Sequence, residues 1–256
     1  MLCSSVFTPG EWKKLCEIEA LLKNDETAGG IRILKAFGIH PQNPDMEMLA
    51  VLEKLLSEGT AAAENSCERA ACAPDAIGEA GYDFFTKVFE AQEKQQNEVW
   101  YAQIELAEKY RKPLVVHLRH AVDRMFRDAG LLKNLPSVIF HSFPGSPLEA
   151  EAIRKRGINA FFSFGKPILN NRRNSIECVR KLPLEWLLFE TDAPYQTLKG
   201  ESATEIGDIE RVYRTASNIR SMSDNSAAFC GEDADDALEK LAANATVNFK
   251  KAFLLD

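Results

Sequence analysis

Four residues that can bind a metal ion each lie at or next to the carboxyl end of a short apolar run. They are Glu79 in AIGEAGYD, His117 in PLVVHLR, His141 in VIFHSF and Asp192 in WLLFETDAP. Each run has the length and composition of a buried β-strand. In a parallel α/β barrel, the carboxyl ends of the strands form the face that carries the catalytic groups. This ordered set of side chains therefore points to a metal-dependent hydrolase.

The chemistry of these side chains fits a divalent metal. Imidazole nitrogens and carboxylate oxygens bind Zn, Mn, Fe or Ni at about 2.0–2.2 Å. Two roles are open to Asp192, as a metal ligand or as the general base that takes a proton from a metal-activated water. Taken singly, a glutamate at a strand end often forms a salt bridge, and a histidine often belongs to the core. Because the chain has only four histidines, the joint placement of these residues favours a metal site.

Strand-like and helical patterns alternate along the whole chain, which is typical of βα units. Seven apolar runs predict strands: LCSSV near residue 2, ILKAFGI near 33, AIGEAG near 76, PLVVHL near 113, SVIFHSF near 137, INAFFSF near 158 and WLLFET near 186. Apolar residues at helical spacing predict helices over residues 9–22, 45–57, 95–110, 147–155 and 234–253. No Pro-, Gly- or Ser-rich linker divides the sequence, so we expect a single domain over residues 1–256.

Composition sets limits on location and partners. No apolar run approaches the roughly 18 residues that a membrane span needs, and the first residues lack a secretory leader, so a cytoplasmic protein is expected. A formal net charge of −7 disfavours broad adhesion to nucleic acid, but it is compatible with a nuclease whose site charge comes from metal ions. The six cysteines are expected to be reduced thiols without a metal role, and this includes the C-x4-C pair of Cys67 and Cys72.

Five short motifs follow one another along the chain: GIHP (38–41), IGEAGYD (77–83), PLVVHLRHA (113–121), HSFPGS (141–146) and ETDAP (190–194). In this order they resemble the motifs of the TatD-type deoxyribonuclease family, and NFKKAF (248–253) is similar to that family's closing helix. The resemblance runs from about Cys3 to the end of the chain. It implies a TIM-like (β/α) barrel that holds two divalent metal ions (Mg, Mn or Zn) and hydrolyses phosphodiester bonds, with DNA as the best-known substrate class.

The same resemblance implies roles for the metal-binding residues. Glu79 would bridge the two metals, and His117 with His141 would complete one site. Asp192 would serve the other site and help to activate the attacking water, so Glu79 and Asp192 would be the catalytic pair. Two metals would stabilise both the entering and the leaving oxygen of an in-line displacement.

Two further residues are candidate substrate contacts. Arg119 stands two residues after His117, on the same side of a strand, and would reach a phosphate. The alternative for Arg119 is a salt bridge at the barrel rim. His40 would orient the substrate at the mouth of the barrel, unless it is a structural contact next to Pro41.

One part of the family pattern is absent from this sequence. The family opens with a strand that carries an Asp-x-His-x-His type motif, whose histidines bind the second metal. This chain has no histidine before His40 and no H-x-H, and LCSSVF is similar to the family's second strand. We therefore expect seven strands, with the first strand of the family's barrel missing, and one or two bound metals. Either the start is assigned too far downstream, or this member is truncated and keeps only the site of Glu79, His117 and His141.

Three other segments carry weaker signals. Phe89, Trp100 and Tyr101 could stack on unpaired bases, although a core stripe is the commoner reason for aromatics at helical spacing. The loop at 162–174, with Lys166 among its basic residues, could guide a phosphate backbone or be solvated surface. The acidic, Ser-rich residues 221–240 predict a mobile surface loop that leads into the last helix.

Two other functions fit the same residues. A related amidohydrolase-type barrel would act on an ester, lactone or amide, because metal-activated water attacks carbonyl as well as phosphoryl centres. A non-catalytic metal-binding barrel would account for the absent H-x-H, but not for the four ligands that remain. The motifs ETDAP and HSFPGS favour a TatD-like hydrolase of phosphodiester bonds. We expect a deoxyribonuclease with DNA as substrate, no membrane association and no obligate protein partner.

Overall fold

The structure is a computed structural model, and it describes residues 1–24, 30–64, 73–222 and 234–255. It divides into two compact units, Met1–Ala121 with Asn134–Val138 and Val122–Lys133 with Ile139–Asp256. The expectation of a single domain over residues 1–256 stays a prediction. Cys67, Cys72 and Cys230 lie outside the described residues, as do residues 223–233 of the predicted surface loop. Among the described residues, Cys3, Cys16 and Cys178 are not in disulfide bonds.

The first unit contains four parallel strands that are neighbours in chain order: β1 (Leu2–Val6), β2 (Ile33–Phe37), β3 (Ala76–Asp83) and β4 (Leu114–Arg119). Every residue of β2 is buried, and Glu79 is the one half-buried residue of β3. Parallel strands covered on both faces are apolar along their length, which is why these strands are recognisable in the sequence. β1 is half-buried throughout.

Helices separate these strands, namely α1 (Pro9–Asn24), α2 (Met48–Glu64), α3 (Lys87–Glu90) and α4 (Glu93–Lys109). α1 begins at Pro9 because Thr8 and Glu11 cap it reciprocally. The Thr8 N–H donates to Glu11 Oε2 at 3.0 Å, and the Glu11 N–H donates to Thr8 Oγ1 at 3.2 Å. α4 buries Trp100 against Tyr82 of β3, with 5.5 Å between ring centroids. Trp100 is therefore a core residue and does not stack on bases.

The second unit begins with α5 (Val122–Arg127) and α6 (Ala129–Leu132) and takes in the last two residues of β5 (Val138–Phe140). Its further elements are α7 (Pro147–Lys155), β6 (Ala160–Phe164), α8 (Arg173–Lys181), β7 (Leu187–Phe189), α9 (Ile209–Ser221) and α10 (Ala234–Ala252). Short 3₁₀ turns cover Lys166–Ile168, Leu184–Trp186 and Ile206–Asp208. β6 and β7 pair in parallel. The rings of Phe140, Phe143 and Phe162 form part of the core, with centroids 4.7–5.9 Å apart.

A local cap sets the start of one predicted helix in this unit, and a long-range contact holds another in place. Ser146 and Glu149 form a capping box ahead of Pro147, so α7 begins and ends at the predicted residues. α10 contains Asn248 of the NFKKAF motif, whose Nδ2 donates to the backbone oxygens of Leu184 and Leu187 at 2.7 and 2.8 Å. This side chain ties the last helix to β7.

The seven strands of the described residues are those that the apolar runs predict. Helices α3, α5 and α6 have only four to six residues, which is too short for a clear 3.6-residue pattern. α8 and α9 are also absent from the predicted helices, and both are polar apart from a narrow buried stripe. No helix in the described ranges is long and apolar enough to cross a membrane.

Candidate metal centre

Three potential ligands of the first unit meet near the carboxyl ends of its strands. Glu79 lies in β3, His117 lies in β4, and His40 follows β2 by three residues. One ligand atom of each lies within 4.8 Å of the other two. Glu79 Oε2 is 3.6 Å from His117 Nδ1 and 3.6 Å from His40 Nε2. The structure thus places the candidate substrate contact His40 beside two of the candidate metal ligands.

Gly81 lets β3 and β4 approach closely at this point. It is the register partner of His117, and its φ is +139°. A Cβ atom on Gly81 would lie 2.2 Å from the backbone oxygen of His117. Only glycine fits here without separating the two strands that carry Glu79 and His117.

Two buried glutamines of α4 fix the backbone on which the site is built. Gln103 Oε1 accepts from the Ile39 N–H at 2.8 Å, and its Nε2 donates to the Ile39 oxygen at 3.2 Å, next to His40. Gln96 makes the same pair of bonds with the backbone of Asp83, at 2.9 and 3.1 Å. Seven residues separate the two glutamines, which is two helical turns, so both lie on one face of α4. They satisfy backbone groups that would otherwise be buried without a partner.

Asp83, the last residue of β3, is fully buried and contacts His117. Its Oδ2 lies 3.2 Å from His117 Nε2 and accepts from Gln42 Nε2 at 2.8 Å, while Oδ1 accepts from the Phe85 N–H at 2.9 Å. Burial by itself raises the pKa of the Asp83 carboxyl, but these hydrogen bonds outweigh burial and hold the pKa well below its ordinary value. Asp83 is therefore a buried anion. Its place in the IGEAGYD motif is the one signal of this role that the sequence contains.

In the second unit, His141 lies between two carboxylates. His141 directly follows β5, and Glu190 directly follows β7. Glu190 Oε1 is 2.9 Å from His141 Nδ1, and Asp192 Oδ1 is 3.7 Å from His141 Nε2. The structure therefore brings the predicted residues His141 and Asp192 together and adds Glu190, which stands in the ETDAP motif.

Both carboxylates are oriented by neighbouring polar groups. Glu190 Oε1 accepts from the Ser142 N–H at 3.0 Å and from the Ser142 hydroxyl at 2.6 Å. Gln196 Nε2 donates to Asp192 Oδ2 at 2.7 Å and also to Ser142 Oγ. Burial raises the pKa of Glu190, but the charge of His141 and the hydrogen bonds outweigh burial, and the pKa lies below its ordinary value. Asp192 itself has a left-handed backbone, with φ at +59°.

Arg119 ends β4 and stacks on an exposed aromatic ring. Its guanidinium carbon lies 3.7 Å from the centroid of Phe85, which is 54% exposed. Arg119 Nη1 is 4.0 Å from Asp83 Oδ2, and the Arg119 side chain is 41% exposed. The ion pair is long, so the guanidinium keeps donors available to solvent or to a ligand.

The basic residues of the segment 162–174 differ in burial. Lys166 is fully buried and pairs with Glu201 Oε2 at 2.5 Å and with Asp208 Oδ2 at 2.7 Å. The suggestion that Lys166 guides a phosphate backbone is therefore wrong, because its charge is already matched by two carboxylates inside the protein. Arg172 and Arg173 are exposed, as the solvated-surface alternative predicts.

The donor chemistry of both histidine clusters fits a divalent ion. Ligands held about 2.1 Å from an ion in tetrahedral or octahedral geometry lie roughly 3.0–3.5 Å from one another. His117 Nδ1 and Glu79 Oε2 are 3.6 Å apart, and His141 Nε2 and Asp192 Oδ1 are 3.7 Å apart. Each nitrogen–oxygen pair could therefore share an ion after a shift of a few tenths of an ångström.

Parallel strands joined by helices, with histidine–carboxylate clusters at the strand ends, are the arrangement of a TIM-like α/β fold. The family model described as TatD related DNase matches residues 4–254, and the chain belongs to this family. The fold class and the family that the motifs predicted are both confirmed.

Named relatives agree with this assignment. The chain is 27% identical to human deoxyribonuclease TATDN3 over 244 residues, which cover 92% of this chain and 80% of the human protein. It is 32% identical over 173 residues to an uncharacterized metal-dependent hydrolase of Mycoplasma pneumoniae, covering 64% of this chain and 61% of that protein. It is 31% identical over 163 residues to the 3'-5' ssDNA/RNA exonuclease TatD of Escherichia fergusonii, covering 62% and 56%. The chain thus spans less than two thirds of the last two relatives.

A solved structure has the same fold. The TatD homologue YJJV of Escherichia coli K12 superimposes with a TM-score of 0.74 at 22% identity, covering 99% of this chain and 86% of that one. At this level of identity the similarity concerns the fold alone.

Proposed function

We propose that this chain is a metal-dependent nuclease that hydrolyses phosphodiester bonds in DNA. The observation that carries the proposal is the pair of Glu79 and His117 in a chain of the TatD family. Their potential metal-ligating atoms, Glu79 Oε2 and His117 Nδ1, lie 3.6 Å apart. Relatives named deoxyribonuclease and ssDNA/RNA exonuclease support a nucleic-acid substrate.

The proposed metal ligands are Glu79 and His117 in the first unit and His141 and Asp192 in the second. A bound Mg²⁺, Mn²⁺ or Zn²⁺ would supply a water nucleophile at neutral pH and would neutralise charge on the phosphoryl oxygens. Asp192, as general base, would take the proton of the attacking water. Gln196 holds one oxygen of Asp192 at 2.7 Å, so the carboxylate keeps a fixed orientation during this transfer.

His40 and Arg119 are the proposed substrate contacts. The Arg119 guanidinium lies over the Phe85 ring at 3.7 Å and is partly exposed, so its N–H groups can bind two phosphate oxygens at once. Phe85 is 54% exposed and offers an apolar face beside that phosphate, on which an unpaired base can stack. This pairing of a cation with an exposed ring favours single-stranded DNA.

Degradation of end-labelled single-stranded DNA with Mg²⁺ or Mn²⁺ tests the proposal. The Glu79→Gln variant keeps the shape of the side chain and removes its charge, and we expect its activity to fall at least about 100-fold. The matched control is Glu98→Gln, an exposed residue of α4 that lies 3.9 Å from Lys94, and it should retain wild-type activity. EDTA should abolish cleavage by the wild type.

Three results would contradict the proposal in different ways. Cleavage that resists EDTA, or a Glu79→Gln variant as active as the wild type, would exclude the proposed metal chemistry. Hydrolysis of an ester, lactone or amide without DNA cleavage would favour the amidohydrolase-type alternative. Metal binding without hydrolysis of either substrate class would favour a non-catalytic barrel.

A further inference from the structure

The partner of one ring nitrogen determines which nitrogen of His117 carries the proton. His117 Nε2 lies 3.2 Å from Asp83 Oδ2, and two other donors, Gln42 Nε2 and the Phe85 N–H, hold that carboxylate in place at 2.8 and 2.9 Å. An ionised carboxylate only accepts hydrogen bonds, so the proton of the neutral imidazole lies on Nε2. The lone pair is then on Nδ1, the atom that lies 3.6 Å from Glu79 Oε2.

His141 has the same arrangement with its two nitrogens exchanged. Its Nδ1 lies 2.9 Å from Glu190 Oε1, which the Ser142 N–H and hydroxyl also bind at 3.0 and 2.6 Å. The proton therefore lies on Nδ1 and the lone pair on Nε2. Nε2 is the atom that lies 3.7 Å from Asp192 Oδ1.

His40 differs from both because its partner is a donor. The backbone N–H of Gln42 donates to His40 Nδ1 at 3.2 Å. The proton of the neutral ring therefore lies on Nε2, which faces Glu79 Oε2 at 3.6 Å. A histidine nitrogen must be deprotonated to ligate a metal, so this face of His40 acts as a hydrogen-bond donor.

We propose that Asp83 and Glu190 are positioning residues that hold His117 and His141 in opposite tautomers. In each ring the bare nitrogen then faces a candidate ligand carboxylate, and the protonated nitrogen faces the positioning carboxylate. The backbone N–H of Gln42 holds His40 with its proton on Nε2, the nitrogen that faces Glu79. His40 is therefore excluded from the ligand set and is left as a hydrogen-bond donor to an anionic substrate. This inference rests on the metal centre of the proposed function.

Nitrogen-15 NMR of the metal-free protein tests the tautomers directly, and the chain has only four histidines to assign. Near pH 8, two-bond nitrogen–proton correlations should show the proton on Nε2 of His117, on Nδ1 of His141 and on Nε2 of His40. Addition of Zn²⁺ should shift the bare nitrogens of His117 and His141, while His40 keeps its Nε2 proton.

Isosteric variants test the positioning role. Asp83→Asn and Glu190→Gln should each lower the affinity for Zn²⁺, measured by calorimetry, by about 10–100-fold, and each should mix the tautomers of its own histidine only. The control is Asp123→Asn, whose side chain is 73% exposed, and its Zn²⁺ affinity should match that of the wild type. If a variant fails to fold, the wild-type spectrum still decides the question.

The two proposals can fail separately. A wild-type spectrum with the opposite proton positions, or Zn²⁺ bound to His40 Nε2, would overturn this inference even if the protein cleaves DNA. The expected tautomers and Zn²⁺ shifts without DNA cleavage would support this inference and contradict the nuclease proposal. Absence of Zn²⁺ binding would overturn this inference, and the DNA assay with Mg²⁺ or Mn²⁺ would still decide the nuclease proposal.

Discussion

Replacing Gly81 by alanine should damage both the stability of the protein and its candidate metal centre. Gly81 faces His117 across the β3–β4 pair, and it has a φ of +139°. The added methyl group would lie 2.2 Å from the His117 backbone oxygen. That oxygen belongs to the backbone, so a rotamer change cannot move it away.

The size of the effect follows from this distance. Cβ atoms essentially never approach another heavy atom closer than 3.0 Å, so the strands must separate locally by about 0.8 Å. Overpacking of this kind costs about 1–3 kcal/mol, and a non-glycine residue at this φ costs roughly 1–3 kcal/mol more. We expect the free energy of unfolding to fall by about 2–6 kcal/mol. Because a displacement of about 1 Å at a catalytic group can cost about 100-fold, nuclease activity should fall by about that factor.

The matched control is Gly130→Ala, which adds the same methyl group in α6, where the new Cβ would meet nothing within 4 Å. This substitution should stabilise the protein by up to about 1 kcal/mol, since alanine is the better helix former. Urea unfolding followed by circular dichroism gives both stabilities, and the end-labelled DNA assay gives both activities. Equal urea midpoints for the two variants would refute the close approach of β3 and β4 on which the site geometry depends.

Three further predictions concern single groups. Arg119→Gln should raise the KM for single-stranded DNA at least about tenfold with kcat unchanged, because a charged hydrogen bond is worth about 1.5–3 kcal/mol. The control is Arg172→Gln at an exposed site, and equal KM values for the two variants would contradict the phosphate contact. Burial raises the pKa of the Cys178 thiol to about 12, so iodoacetamide near pH 8 should label Cys178 only after unfolding. Peptide mass spectrometry measures the labelling, and rapid labelling of the folded protein would disprove the burial of the thiol. The hydrogen bond from Lys166 is the main cause that lowers the pKa of Glu201 from 4.5 to about 2. The ionised Glu201 therefore stabilises the fold fully above pH 4.5, and this stabilisation is lost as the pH falls toward 2. The urea midpoint should drop over that interval, and Lys166→Met should flatten the drop; identical acid profiles would show that this pair does not cause it.

The sequence alone determined the strands and pointed to the residues of the candidate site. β2, β3 and β4 are recognisable because strands buried on both faces must be apolar along their length, a requirement that leaves a local pattern. α7 is equally local, since Ser146 and Glu149 specify where it begins. Glu79, His117, His141 and Asp192 are visible because histidine and carboxylate side chains at strand ends stand out from the apolar runs before them.

Only the tertiary structure decided which partner each of these side chains has. Asp83 meets His117 across 34 residues of sequence, and Ser142 meets Glu190 across 48. Gln103 reaches the backbone beside His40 across 64 residues, and Lys166 proved to be buried against carboxylates rather than exposed. Such pairings depend on which elements pack together and in what register. A polar residue has the same local sequence pattern whether it faces solvent or a buried partner, so its role is set by the fold and not by its neighbours in the chain.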